Sequence, residues 1–317
     1  MIIQRGDGPM ALMKEFLLWC STNAYLKQRI PHTAFAKRAV RRFMPGETTE
    51  TAIAEAALLK IAGISTVLTY LGENVTDLKE AERNRDHYLD LYQRVWTGGL
   101  SSEISVKLTQ LGLDVNPDRT FAHVRELAMK AKEIGNFLWI DIESSPYADA
   151  TLDVYRRLRM EFSNVGLCLQ SYLYRTKEDL ASLISLAPSI RLVKGAYKEP
   201  SSIAFPRKKD VDKNFVDLLE SMLRMSSGEI GRIGVATHDE KIIEHTKQFA
   251  GRNNIPTDRY EFQLLYGIKR DLQRRLAQEG YRLRVLISYG TAWYAWYLRR
   301  LAERPSNVLF AARSLFR

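Results

Sequence analysis

The sequence predicts the α/β class and, within it, a closed (β/α)₈ barrel of the TIM type, on three observations. Eight short apolar runs recur along the chain, each is followed by a longer segment of helical period, and successive runs begin at least 23 residues apart. That spacing holds one strand, a loop and one crossover helix, the unit of a parallel sheet covered by helices. The runs are Ser65 to Tyr70, Ile104 to Thr109, Phe137 to Ile142, Val165 to Leu169, Ile190 to Lys194, Ile233 to Thr237, Tyr260 to Leu264 and Leu283 to Ser288. An open doubly wound sheet is the competing arrangement, but no G-x-G-x-x-G follows the first run to support it.

Ahead of the runs, M-A-L-M-K-E-F-L-L-W-C is apolar on most faces and A-F-A-K-R-A-V-R-R-F-M is basic and amphipathic; Pro45 and Gly46 close this stretch. The expected organisation is a helical arm over residues 1–45 and one barrel over residues 46–317. With 317 residues, 45% of them hydrophobic, the chain can bury a core of that size. No run reaches the roughly 18 apolar residues of a membrane span, and M-I-I-Q-R-G-D-G lacks the apolar region of a signal peptide, so a cytoplasmic protein is expected. Cys20 and Cys168 sit inside apolar runs and are expected as core thiols rather than disulfide partners or metal ligands. A net charge of +10 would suit a polyanion, yet the basic residues are spread along the chain and concentrate only at Lys37 to Arg42, Arg207 to Lys213 and Lys269 to Arg275. Without a nucleic-acid motif beside them, a solvated basic surface is expected and no nucleic-acid partner.

Barrel enzymes carry their chemistry at the carboxyl ends of the strands. There the sequence places Lys107, Asp141 with Glu143, Gln170, the segment R-L-V-K-G-A-Y from Arg191 to Tyr197, then Thr237, His238 and Asp239, and Glu261 with Gln263. A polar group in a buried strand costs a few kcal/mol unless hydrogen-bonded, so Lys107 and Arg191 are expected to face something anionic. Singly, a strand lysine beside an aspartate is structural and His238 is an ordinary hydrogen-bonding residue. Together, converging on one barrel mouth, they fit a bound anionic ligand better. Beyond the last run, Arg299 and Glu303 stand at i and i+4 on one helix face and Arg300 projects about 100° away. Such a pair of guanidinium groups suits a shared buried carboxylate, the alternative being a salt-bridged surface helix. A metal-dependent hydrolase would need histidines and carboxylates at several strand ends; only His238 and the Asp141/Glu143 pair offer them, so no metal site is expected.

The segments S-V-K-L-T-Q-L-G-L-D, L-Q-S-Y-L-Y-R-T, R-L-V-K-G-A-Y-K-E, A-T-H-D, Y-E-F-Q-L-L-Y-G and R-R-L-A-E-R-P-S-N, in this order, resemble the bacterial single-function proline dehydrogenases from about Leu71 onward. The resemblance implies a distorted barrel that holds FAD noncovalently and oxidises L-proline to 1-pyrroline-5-carboxylate, with hydride moving to flavin N5. By the same resemblance Asp141, Gln170, Arg191, Val193, Lys194, Gly195, Ala196, Thr237, His238 and Gln263 line the FAD. Arg191 would stabilise charge on the reduced ring, and Gly195 would let backbone approach a planar ligand. Lys107, Arg299 and Arg300 are assigned to the substrate carboxylate, and Glu73 to the pairing that closes the site. A quinone is the implied electron acceptor, which brings with it an expected peripheral contact with the inner face of the membrane.

Three positions depart from the family pattern. The last strand reads R-V-L-I-S-Y-G, with Leu286 where an aromatic normally packs on the substrate ring; Trp296 stands where a tyrosine is usual; and Thr69 replaces an aspartate. Two alternatives therefore accompany the main expectation: the same chemistry on hydroxyproline or another cyclic amino acid, and a flavin-binding homologue without turnover.

Overall fold

The structure, a computed structural model, describes residues 40–303 together with residues 17, 19, 20, 23–29 and 33. Most of the expected helical arm therefore lies outside the described residues. Within it α1 spans Ala24–Arg29. The barrel then runs α2 Thr49–Ile61, β1 Ser65–Tyr70, α3 Leu78–Thr97, β2 Ser102–Lys107, α4 Pro117–Glu133, β3 Leu138–Asp141, α5 Ala148–Glu161 and β4 Val165–Gln170. Its second half comprises α6 Thr176–Ala181, β5 Ser189–Val193, α7 Lys208–Arg224, β6 Ile233–Val235, α8 Glu240–Arg252, β7 Tyr260–Leu265, α9 Arg270–Gln278, β8 Leu283–Tyr289 and α10 Trp293–Glu303.

The eight strands pair in sequence order and close into a barrel, β8 meeting β1 in parallel over six residue pairs from Ser65↔Arg284 to Tyr70↔Tyr289. Helices begin where the sequence supplies caps. Asp77 accepts from the Lys79 N–H, Asn116 from the Arg119 N–H with Pro117 next in line, and Asp239 from the Lys241 N–H. Each satisfies a backbone donor that has no partner within its helix. The helices lay Tyr88, Leu91 and Tyr92 of α3, Val124 and Leu127 of α4 and Leu152 and Tyr155 of α5 onto the outer face of the sheet, all fully or almost fully buried. Among the described residues no helix is long and apolar enough to cross a membrane.

Inside the barrel the amino-terminal end is closed by charge. Glu103 of β2 accepts from Arg232 at 2.7 Å and pairs with Arg284 of β8 at 3.0 Å. Glu261 of β7 meets the same two arginines at 3.0 and 3.3 Å. Two carboxylates and two guanidiniums thus alternate in a ring, and Trp139 of β3 donates its indole N–H to Glu103 at 2.7 Å. Buried charges are tolerated when paired and hydrogen-bonded in this way. The ring also explains a shifted strand. β2 begins at Ser102, ahead of the apolar run expected from Ile104, because its first residues are polar yet inward or paired: Glu103 joins the ring and Ser102 bonds Thr66 at 2.6 Å. At its other end, Thr109 leaves the strand and opens a short 3₁₀ turn.

Candidate active site

Arg191 stands at the centre of the barrel and is almost fully buried. Its Nε donates to Gln263 Oε1 at 2.6 Å, and its Nη1 donates to Asp141 Oδ1 at 2.8 Å and to Ser105 Oγ at 2.9 Å. The guanidinium lies 4.6 Å above the Trp139 ring, a cation–π contact in a desolvated setting. Its Nη2 is buried and has no partner among the described residues. Ser105 closes a triangle by donating to Asp141 at 2.9 Å, and Lys107 reaches the other Asp141 oxygen at 3.9 Å. The two strand cations singled out in the sequence therefore share one aspartate. Buried beside them, Cys168 has its thiol pushed up to about 12 by burial, with Asp141 adding to the rise and Arg191 and Lys107 opposing it.

The loop after β1 carries Glu73 and is anchored through a hydroxyl. Thr109 Oγ1 donates to Glu143 Oε2 at 2.6 Å and accepts from the Asn74 N–H at 3.0 Å, while the Thr109 N–H donates to Glu143 Oε1 at 3.0 Å. Asn74 itself takes a left-handed conformation and its side-chain amide donates to Tyr147 and Asp114. Glu143 is buried, which raises its carboxyl above the ordinary range; the two Thr109 bonds and Lys107 oppose the rise and Glu73 adds to it. Lys107 and Glu73 thus both act on Glu143 at one side of the mouth. The sequence marks Glu143 only as half of a carboxylate pair; its partner Thr109 carries no signal of its own.

On the opposite side, Lys194 at the end of β5 pairs with Asp212 at 2.5 Å and Asp239 at 2.8 Å. Asp239 is held down at about 2: burial opposes this, but the Lys194 and Lys208 ammonium groups outweigh it. Gly195 has φ of 113°, and a Cβ there would lie 2.2 Å from Cδ1 of the Tyr172 ring. The backbone conformation and Tyr172 both require glycine here. Val193 packs on the core, Ala196 is half-buried, and buried Thr237 accepts from the Asp239 N–H at 3.1 Å. His238 accepts the Leu265 N–H at Nε2 over 2.9 Å, which places the proton of a neutral ring on Nδ1.

Around the rim, Gln170 Oε1, Thr69 Oγ1 and Ser288 Oγ are buried without partners among the described residues. Buried polar atoms are normally satisfied, so their clustering with Arg191 Nη2 toward the carboxyl ends of β1, β4, β5 and β8 makes this mouth the candidate ligand site. Leu286 pairs in register with Val67 and packs with Val67, Phe137 and Trp139 while staying partly exposed. Trp296 is buried in a separate cluster that joins α10 to Leu17, Phe43 and Met44. Arg299, Arg300 and Glu303 fall in the last turns of α10, and their side chains lie outside the described residues.

Similar sequences and a similar fold occur among known proteins. The profile of the family described as Proline dehydrogenase matches residues 52–313. Proline dehydrogenase 1 of Bacillus subtilis (strain 168) is 39% identical over 298 residues, 92% of this chain and 97% of that protein. Proline dehydrogenase of Deinococcus radiodurans is 41% identical over 281 residues, 87% of this chain and 89% of that protein. Among solved structures, proline utilization A from Bdellovibrio bacteriovorus inactivated by N-propargylglycine superimposes with a TM-score of 0.77 at 21% identity. That match covers 92% of this chain and 38% of the longer protein, and it carries the fold alone.

Proposed function

We propose that this chain, which belongs to the proline dehydrogenase family, oxidises L-proline to 1-pyrroline-5-carboxylate with FAD across the carboxyl ends of the strands and delivers the electrons to a quinone. One observation carries the cofactor reading: Arg191 Nη2, Gln170 Oε1, Thr69 Oγ1 and Ser288 Oγ are buried at one mouth and, among the described residues, unpartnered. A flat heteroaromatic ring rich in donors and acceptors answers such a set. When bound, the flavin supplies the hydride acceptor for the substrate carbon beside nitrogen.

The protein contributes binding, orientation and electrostatics. Gln170, Arg191, the Lys194 to Ala196 turn, Thr237 and His238 would hold the cofactor. The Arg191 guanidinium, fixed by Asp141, Ser105 and Gln263, would stabilise negative charge on a reduced flavin held here without reorganising. Lys107, Arg299 and Arg300 receive the substrate carboxylate, and Glu73 closes the site from the loop that Thr109 anchors. Transfer to a quinone places the protein at a membrane surface during turnover. Leu286 favours a second reading on the same chemistry: partly exposed inside the barrel, it leaves room that a ring substituent such as a 4-hydroxyl can occupy.

The test is to incubate FAD-loaded protein with L-proline and a soluble quinone and to trap the product with an aldehyde-reactive amine. Trapped product in step with quinone reduction supports the reading. Folded, FAD-loaded protein that yields no product from proline or hydroxyproline overturns it.

A further inference from the structure

Arg191 is held from below as well as from the side. Gln263 accepts from Arg191 Nε at 2.6 Å, and its Nε2 donates to Glu261 Oε1 at 2.5 Å. Glu261 belongs to the ring with Arg232, Arg284 and Glu103. Burial works against its charge, yet Arg284 and Arg232 outweigh this and keep its carboxyl below the ordinary range, so it is ionised near neutrality. A carboxylate accepts only, and a guanidinium donates only. The amide of Gln263 therefore has one orientation, nitrogen toward Glu261 and oxygen toward Arg191. Room for it comes from Gly234, where a Cβ would stand 2.8 Å from Gln263 Nε2 and 3.4 Å from Arg191 Cα.

Resting on the functional reading above, we propose that Gln263 is a positioning residue rather than a flavin contact: it ties Arg191 to the basal charge ring and so directs Nη2 into the site. Among the described residues Nε and Nη1 are already engaged with Gln263, Ser105 and Asp141, which leaves Nη2 as the nitrogen offered to a ligand. The family resemblance puts Gln263 among the residues that line the flavin; the structure turns both ends of its amide onto protein.

Three variants test this by anaerobic flavin bleaching with L-proline across pH. Gln263→Leu keeps the volume and loses both bonds; bleaching should slow about tenfold at every pH, with KM for proline changed less than twofold. Gln263→Asn should recover part of the rate. Gln263→Glu sets a second carboxyl against Glu261. While one shared proton remains, the new group can still donate to Glu261 and accept from Arg191, but two adjacent carboxylates repel once it leaves. This variant should match wild type at low pH and lose about tenfold, reversibly, as pH rises. A residue that merely fills space would give no such profile. Wild-type rates and pH dependence in both Leu and Glu variants overturn the proposal. If Gln263→Leu does not fold, the reversible pH loss in Gln263→Glu decides. If FAD-loaded wild type is not bleached by proline, the functional reading fails instead. The relay is then read from the flavin absorption spectrum, which should differ between Gln263→Leu and wild type; identical spectra count against it.

Discussion

Replacing Thr109 by valine removes one hydroxyl from the anchor of the Glu73 loop and nothing else of size. In the wild type that hydroxyl donates to Glu143 at 2.6 Å and accepts from Asn74 at 3.0 Å. Asn74 is exposed, so water replaces its lost acceptor at little cost; Glu143 is buried and has no such recourse. A hydrogen bond to a charged group contributes about 1.5–3 kcal/mol and a neutral one about 1 kcal/mol. Burial already lifts the Glu143 carboxyl, so its contribution is most favourable below the unfolded value and weakens as pH rises through the folded one. Losing a bond to the ionised form lifts the folded value further. The stability gap between wild type and Thr109→Val should thus be about 1 kcal/mol near pH 4.5 and about 2–3 kcal/mol near pH 7.5. At roughly 2–4 °C per kcal/mol, thermal unfolding followed at both pH values should show a Tm difference of about 4–12 °C at the higher pH and about half of that or less at the lower. KM for proline should rise with FAD content unchanged, because the loop carrying Glu73 loosens. Equal Tm differences at both pH values would refute the bond to an ionised Glu143, and an unchanged Tm would refute the anchor.

Replacing both Arg299 and Arg300 by methionine should weaken proline and carboxylate analogues more than tenfold while FAD stays bound, which titration of the flavin spectrum measures. Leu286→Tyr should lower KM for L-proline about two- to thirteenfold, from an aromatic contact of about 0.5–1.5 kcal/mol, and raise it for 4-hydroxyproline. Equal losses on both substrates would mean that the barrel interior beside Val67 and Trp139 is overpacked. Gly195→Ala should lose several kcal/mol, since it adds a clash with Tyr172 to a left-handed backbone, and should appear as poor FAD retention and a lower Tm.

The barrel was legible in the sequence because parallel strands covered on both faces read as apolar runs: β1 has the bounds its residues imply, and β4 and β7 each gain one residue. β2 was misplaced by two residues because Ser102 and Glu103 are polar yet inside, a choice made by Thr66, Arg232 and Arg284 from distant strands. Lys107, Asp141, Gln170 and Arg191 could be found because charged or amide groups at the ends of apolar runs stand out. Ser105 and Thr109 could not, because a small hydroxyl fits a strand or turn without any bonding role. Gln263 was visible as a residue and not as a relay, since its partners lie 72 residues back along the chain and two residues away on its own strand.

Anaerobic mixing of the FAD-loaded protein with a panel of cyclic amino acids, without any electron acceptor, tests the central claim most directly. The flavin absorbance should bleach in one turnover with L-proline, or with its 4-hydroxy derivative if the space beside Leu286 sets specificity, and should not respond to an acyclic amino acid. A folded protein that binds FAD and keeps its full absorbance with every member of the panel would contradict the claim.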